Sequence, residues 1–172
     1  MGKGLFMFKL STKKIARAGI VGGLYVVLSL IAFPVASGAI QFRISEALTI
    51  LPLIFPEVSI GLFVGCALTG VITCVALYDI IFGSLITLVA GVLTALIGKV
   101  IKRDILRFFV GGLFPVFLNA FFLPVIWYFC YGQLEYLYIL QVAFLIVGQG
   151  VSVYALGYVF YIGAKRLKEK FS

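Results

Sequence analysis

Histidine is absent from this chain of 172 residues, and acidic residues number only six. Its absence removes the commonest metal ligand and the usual base of Ser-His and Cys-His nucleophile schemes. Cysteine is scarce as well. Cys66, Cys74 and Cys130 stand singly in apolar stretches with no Cys-x-x-Cys spacing, which argues against a disulfide framework or redox pair and marks them as small packing residues. No Gly-x-x-x-x-Gly-Lys-[Ser/Thr] occurs, so the chain does not hydrolyse ATP by a P-loop mechanism. Charged residues make up 12% of the chain, where an average soluble domain has roughly 25%.

What fills the chain instead is apolar. Hydrophobic residues are 63% of it, and its mean hydropathy is +1.22. A fold of this size has too little interior to hide that surface from water, so its solvent is lipid. A soluble enzyme, a nucleic-acid-binding domain and a disulfide-stapled secreted module are excluded. The expected fold is an all-α integral membrane protein, a single domain over residues 1–172 with basic tails at 1–14 and 165–172. Six apolar segments are read: Ile15–Phe33, Ile44–Phe55, Val58–Leu77, Ile80–Ile97, Phe108–Cys130 and Tyr136–Ala164. They lack the period-2 alternation of barrel strands, so helices are expected. No internal repeat is visible, which gives no support to an inverted-repeat carrier.

The formal net charge is +8, and it reports topology rather than a nucleic-acid partner. Its basic residues form three clusters beside apolar runs: Lys3 to Arg17, Lys99 to Arg107, and Lys165 to Lys170. The segment Ile44–Phe55 is short and carries Ser45, Glu46 and Pro52, so by itself it reads as re-entrant or interfacial. If it crosses, 13 of the 14 basic residues share one side. The positive-inside rule prefers that arrangement: six transmembrane helices, with N and C termini cytoplasmic. The run from Lys13 to Ala39 loosely resembles a signal peptide, but its apolar stretch exceeds the usual length and cleavage would invert the remaining topology.

Ionisable groups inside a membrane cost roughly 2.5–3.5 kcal/mol at mid-bilayer, so each needs a reason. The topology puts Arg43, Glu46, Asp79 and Glu135 on the outer side, and a solute cavity is expected there. Arg43 and Glu46 stand three apart and can pair on one helix face, with Gln41 and Ser45 adding polarity. Asp79 suits the N-terminus of the fourth span, as a cap or a cavity carboxylate. In the last segment Tyr138, Gln141, Leu145, Gly148, Gln149 and Ser152 fall on one helical stripe, which is expected to face the bundle interior. Asn119 and Trp127 flank Pro124, whose missing N–H frees a carbonyl. Ala18, Gly19, Gly22 and Gly23 make a small-residue face on the first span, suited to close approach by another helix.

The stretch Gln41-Phe-Arg-Ile-Ser-Glu-Ala-Leu-Thr-Ile-Leu-Pro-Leu-Ile-Phe-Pro-Glu57 resembles the signature of the QueT family, proposed queuosine-precursor transporters. Gly61-Leu-Phe-Val-Gly-Cys66 and Asp79-Ile-Ile-Phe-Gly-Ser-Leu-Ile-Thr87 are similar to that family's pattern too. The resemblance implies an S-component, the substrate-binding membrane subunit of an energy-coupling factor (ECF) transporter, with a six-helix bundle and an outward pocket. It implies a small-molecule substrate of the 7-deazaguanine type and residence in a bacterial cell membrane. Its partners would be a transmembrane coupling subunit and two cytoplasmic ATPases; no cofactor is implied. Such subunits dock through Ala-x-x-x-Ala on the first helix, where this chain has Ala18 and Gly22, or Gly19 and Gly23. On this reading Arg43, Glu46, Asp79, Asn119, Trp127, Tyr138, Gln141 and Gln149 serve the substrate. The alternatives are an S-component for another vitamin-like solute, or a stand-alone carrier or channel.

Overall fold

The structure is a computed structural model that describes residues 11–36, 42–132, 134 and 137–171. Gln41, Glu135 and Tyr136, as well as Lys3 and Lys9, lie outside the described residues. The described residues form six α-helices: α1 (Thr12–Ala36), α2 (Val58–Ile72), α3 (Leu77–Val100), α4 (Asp104–Tyr131), α5 (Tyr138–Gly150) and α6 (Gly157–Phe171). A 3₁₀ helix (Ile44–Leu53) precedes α2, and a six-residue π-helical turn (Val151–Leu156) joins α5 to α6.

Among the described residues, four stretches are long and apolar enough to cross a membrane: Thr12–Pro34, Leu77–Val100, Asp104–Tyr131 and the run Tyr138–Lys170. The two remaining apolar segments are shorter. Val58–Ile72 has 15 residues and Ile44–Leu53 has 10. Helix length therefore qualifies four spans where the segment count suggested six.

The third segment ends earlier than expected because α2 stops in a Schellman turn. Cys74 takes a left-handed φ of 54°. Its N–H reaches the Val71 carbonyl at 3.3 Å, and the Val75 N–H reaches that of Gly70 at 3.2 Å, the paired bonds of that motif. Proline shapes α4 differently. Pro115 has no N–H to offer the Gly111 carbonyl, and that carbonyl instead accepts a 3.0 Å hydrogen bond from Thr94 Oγ1 of α3. Gly132, at φ 74°, closes α4 with its N–H on the Tyr128 carbonyl.

The 3₁₀ helix is not a lipid-facing element. Ser45 through Leu53 are all buried, with Ala47, Leu48 and Ile50 at 0% exposure. Its position follows from the packing of α1 on α2. A methyl on Gly61 would strike the Ala18 carbonyl oxygen at 2.0 Å, and one on Gly65 would strike that of Gly22 at 2.7 Å. The two helices thus ascend side by side in the same direction, so the chain must return between them. The 3₁₀ helix makes that return inside the bundle. At about 2.0 Å rise per residue it covers roughly 20 Å, where an α-helix of equal length covers about 15 Å. Leu53 at its end is met by Gly98 and Gly111, positions where a Cβ would come within 2.6 Å of it.

One end of the bundle gathers the positive charge. Arg17 pairs with Glu57 at 2.5 Å and lies over the Phe55 ring at 4.0 Å. Asp104 binds Arg107 at 2.7 Å and also Lys165 of α6. These pairs join the start of α1, the start of α2, the start of α4 and the last turns of α6. Of the basic residues in the described segments, only Arg43 lies away from this end.

Candidate functional site

A cavity of about 450 Å³ opens in the half of the bundle away from the basic end, within the roughly 300–1,000 Å³ typical of small-molecule sites. The second half of α1 contributes Tyr25, Ser29 and Phe33 to its wall, and α2 contributes Cys66, Thr69 and Thr73. Asp79 and Gly83 of α3 face Leu123, Trp127 and Tyr131 of α4, with Gln141 from α5. Arg43 and Ser45 enter at the start of the 3₁₀ helix. Asp79 sits in the first turn of α3, where the unpaired amides and the helix dipole suit a carboxylate. Its side chain leans over Gly83, where an added Cβ would stand 3.4 Å from Oδ1.

Behind this wall lies a buried polar cluster. Glu46 is 1% exposed and does not line the cavity. Tyr25 donates its hydroxyl to Glu46 Oε1 at 2.8 Å, and Asn119 Nδ2 donates to Oε2 at 3.2 Å. The same Asn119 amide reaches Gln149 Oε1 at 3.5 Å. Burial of a carboxylate is tolerated only with such partners. Arg43 lies near enough to both Glu46 and Asp79 for the three charges to be coupled, but the expected close pair of Arg43 with Glu46 is not formed. Among the described residues, the ion pairs within 4 Å are the three at the basic end.

The residues expected to serve a substrate therefore separate into three groups. Arg43, Asp79, Trp127 and Gln141 line the cavity. Glu46, Asn119 and Gln149 support it from behind. Tyr138 belongs to neither: it is 39% exposed and donates to the Phe121 carbonyl at 2.9 Å. The rest of its stripe, Gln141, Leu145, Gly148, Gln149 and Ser152, is buried as the periodicity predicts. Tyr25, Thr69 and Thr73 were missed. Their signal was present, since Cys66, Thr69 and Thr73 recur at helical spacing and Tyr25 with Ser29 stands i, i+4 in an apolar helix.

The docking face also needs correction. Ala18 and Gly22 are covered by α2 of the same chain, whereas Gly19 and Gly23 have no atom within 4 Å of an added Cβ. The register of Ala18 with Gly22 serves internal packing, because α1 and α2 touch backbone to backbone there.

A bundle of apolar helices around a polar, ligand-sized cavity is what a solute-handling membrane protein requires, and the family model described as QueT transporter matches residues 15–166. The chain belongs to the QueT transporter family. No curated protein and no solved structure matches it. The QueT match runs from the first turn of α1 into α6, so it takes in every element that builds the cavity. As a QueT transporter, the protein is a membrane-embedded transport protein rather than an enzyme, and it handles a small molecule.

Proposed function

We propose that this QueT transporter is the substrate-binding S-component of an energy-coupling factor transporter in a bacterial cell membrane, and that it takes up a queuosine precursor or a related 7-deazaguanine. The cavity carries this reading: its size suits a substituted bicyclic base, and Asp79, Gln141, Arg43 and Trp127 converge on it. An indole plate can stack on a flat ring, a carboxylate can accept paired N–H donors, and a guanidinium can meet a carbonyl. The chain has no P-loop, so the energy comes from partners, a transmembrane coupling subunit and two cytoplasmic ATPases. Gly19 and Gly23 of α1 are left open to a partner helix. A ligand screen by thermal shift tests the substrate. The purified protein should melt several degrees higher with a 7-deazaguanine at 100-fold excess over its Kd, equivalent to about 2.7 kcal/mol. A shift only with unrelated vitamins would replace the substrate while keeping the S-component; a shift with none would remove both.

The positive-inside rule puts the basic end in the cytoplasm and the mouth of the cavity outside, with the 3₁₀ helix completing the second of six crossings. Single cysteines at Ser37, Gln133 and Lys102, in a protein whose native cysteines are replaced, test this. An impermeant maleimide applied to intact cells should label positions 37 and 133 and spare 102. Labelling at 102 would sink the topology.

A further inference from the structure

At the basic end of the bundle, far from the cavity, we infer a site for one anionic phospholipid. Its acyl chain lies in the groove between α2 and α3, its phosphate meets Lys99, and an ester carbonyl accepts the Ser59 hydroxyl. The groove has a volume of about 70 Å³ and is lined by Ser59 and Ile60 of α2 with Val92, Ala95, Leu96 and Lys99 of α3. The α3 residues recur at helical spacing, so they form one stripe over two turns, about 10 Å long. Ile60, Val92 and Leu96 are exposed, and on a membrane-embedded helix such surface is lipid-facing. The inference does not depend on what the cavity binds.

Ser59 distinguishes this groove from ordinary lipid-facing surface. It is 2% exposed, and its Oγ is buried without a hydrogen-bond partner, which is costly unless something supplies an acceptor. A serine in a membrane helix usually donates to a carbonyl one turn back. Ser59 is the second residue of α2, and the Phe55 and Pro56 carbonyls behind it accept the Val58 and Ser59 amides at 3.0 and 3.2 Å. Across the interface stands Gly91, where an added Cβ would come within 3.1 Å of Oγ, so the facing residue of α3 has no side chain to accept the proton. A water molecule needs two to four polar partners, and apart from Lys99 the lining side chains offer it Ser59 alone. An ester carbonyl needs only the one donor.

Charge selects the headgroup. Lys99 stands in the last turn of α3, where a long basic side chain reaches headgroup level. This end of the bundle carries the surplus of positive charge, and its Glu57 and Asp104 are engaged by Arg17, Arg107 and Lys165. Such a field attracts an anionic lipid over a zwitterionic one.

Native mass spectrometry of the purified full-length protein tests this with three lipids of matched chains: phosphatidylglycerol, its dialkyl ether analogue, and phosphatidylcholine. One phosphatidylglycerol should be retained about fivefold more tightly than phosphatidylcholine, and Lys99→Gln should remove that preference. Ser59→Ala should weaken the diester severalfold and leave the diether unchanged, because the ether has no carbonyl to accept the hydroxyl. A merely structural role for Ser59 would weaken both alike. Leu96→Trp, which fills the groove from its exposed side, should abolish retention of the diester at an unaltered melting temperature. Equal retention of phosphatidylglycerol and phosphatidylcholine, or of neither, overturns the inference. So does an equal effect of Ser59→Ala on diester and diether, and so does competition by free glycerol phosphate as strong as that by the lipid, which would mark an anion site alone.

Discussion

Gly61→Ala should lower stability by about 3 kcal/mol, the upper range for forcing extra volume into a packed interior, and Gly61→Leu should yield no folded protein. The added methyl would lie 2.0 Å from the Ala18 carbonyl oxygen and 2.8 Å from its carbon. Those are backbone atoms of a neighbouring helix, so no side chain can rotate away; α1 and α2 must separate. Separation would loosen the 3₁₀ helix as well, because α1 and α2 both pack on it. Gly23→Ala is the control. It has open space at its Cβ, and exchanging a helical glycine for alanine is neutral to favourable by up to about 1 kcal/mol. Thermal unfolding of both variants in the same detergent compares them. A wild-type melting point for Gly61→Ala would contradict the α1–α2 contact.

Glu46→Gln should weaken ligand binding by about 1–3 kcal/mol and lower the melting temperature in the same sample. Glutamine keeps the shape but offers one oxygen where Glu46 offers two. Its NH₂ would face either the Tyr25 hydroxyl or the Asn119 amide, both of which now donate to the carboxylate. Tyr25 would then lose the partner that directs its proton away from the cavity, and Arg43 would lose one of its two counter-charges. On the proposed reading of the cavity, Glu46 would be a positioning residue that acts through Tyr25. Tyr25→Phe should reproduce the loss of affinity with a smaller loss of stability. Unchanged affinity at a lowered melting point would take Glu46 out of binding altogether and leave the carboxylate role to Asp79.

Much of the site was legible because burying polarity in lipid is costly enough to leave a mark in the sequence. Gln141 and Gln149 repeat at helical spacing with Leu145, Gly148 and Ser152, and all five are buried. Arg43, Asp79 and Trp127 stand out from apolar surroundings, and all three reach the cavity. Tyr138 shares the same stripe and still faces outward. It sits at the first turn of α5, where a tyrosine can bond a neighbouring carbonyl from the surface. Thr69 and Thr73 were harder to see, since threonine in a membrane helix satisfies its own hydroxyl on the preceding turn and needs no cavity to explain it.

Composition determined that this is a membrane protein, the lack of period-2 alternation in its apolar segments that it is helical, and the spacing of its basic clusters which segment ends lie together. All three are properties of the chain against its solvent, set by transfer free energies that sum residue by residue. The role of Ile44–Leu53 was decided elsewhere. Its residues by themselves read as a re-entrant or interfacial segment and the charge count favoured a crossing, but neither predicts its burial, which depends on α1 and α2 running parallel and in turn on glycines lying opposite each other across two helices. The same contact decided that Ala18 and Gly22 are internal and Gly19 and Gly23 external. Sequence spacing places small residues on a face of a helix; only the packed neighbour settles which face is covered, because close approach is a property of two surfaces together.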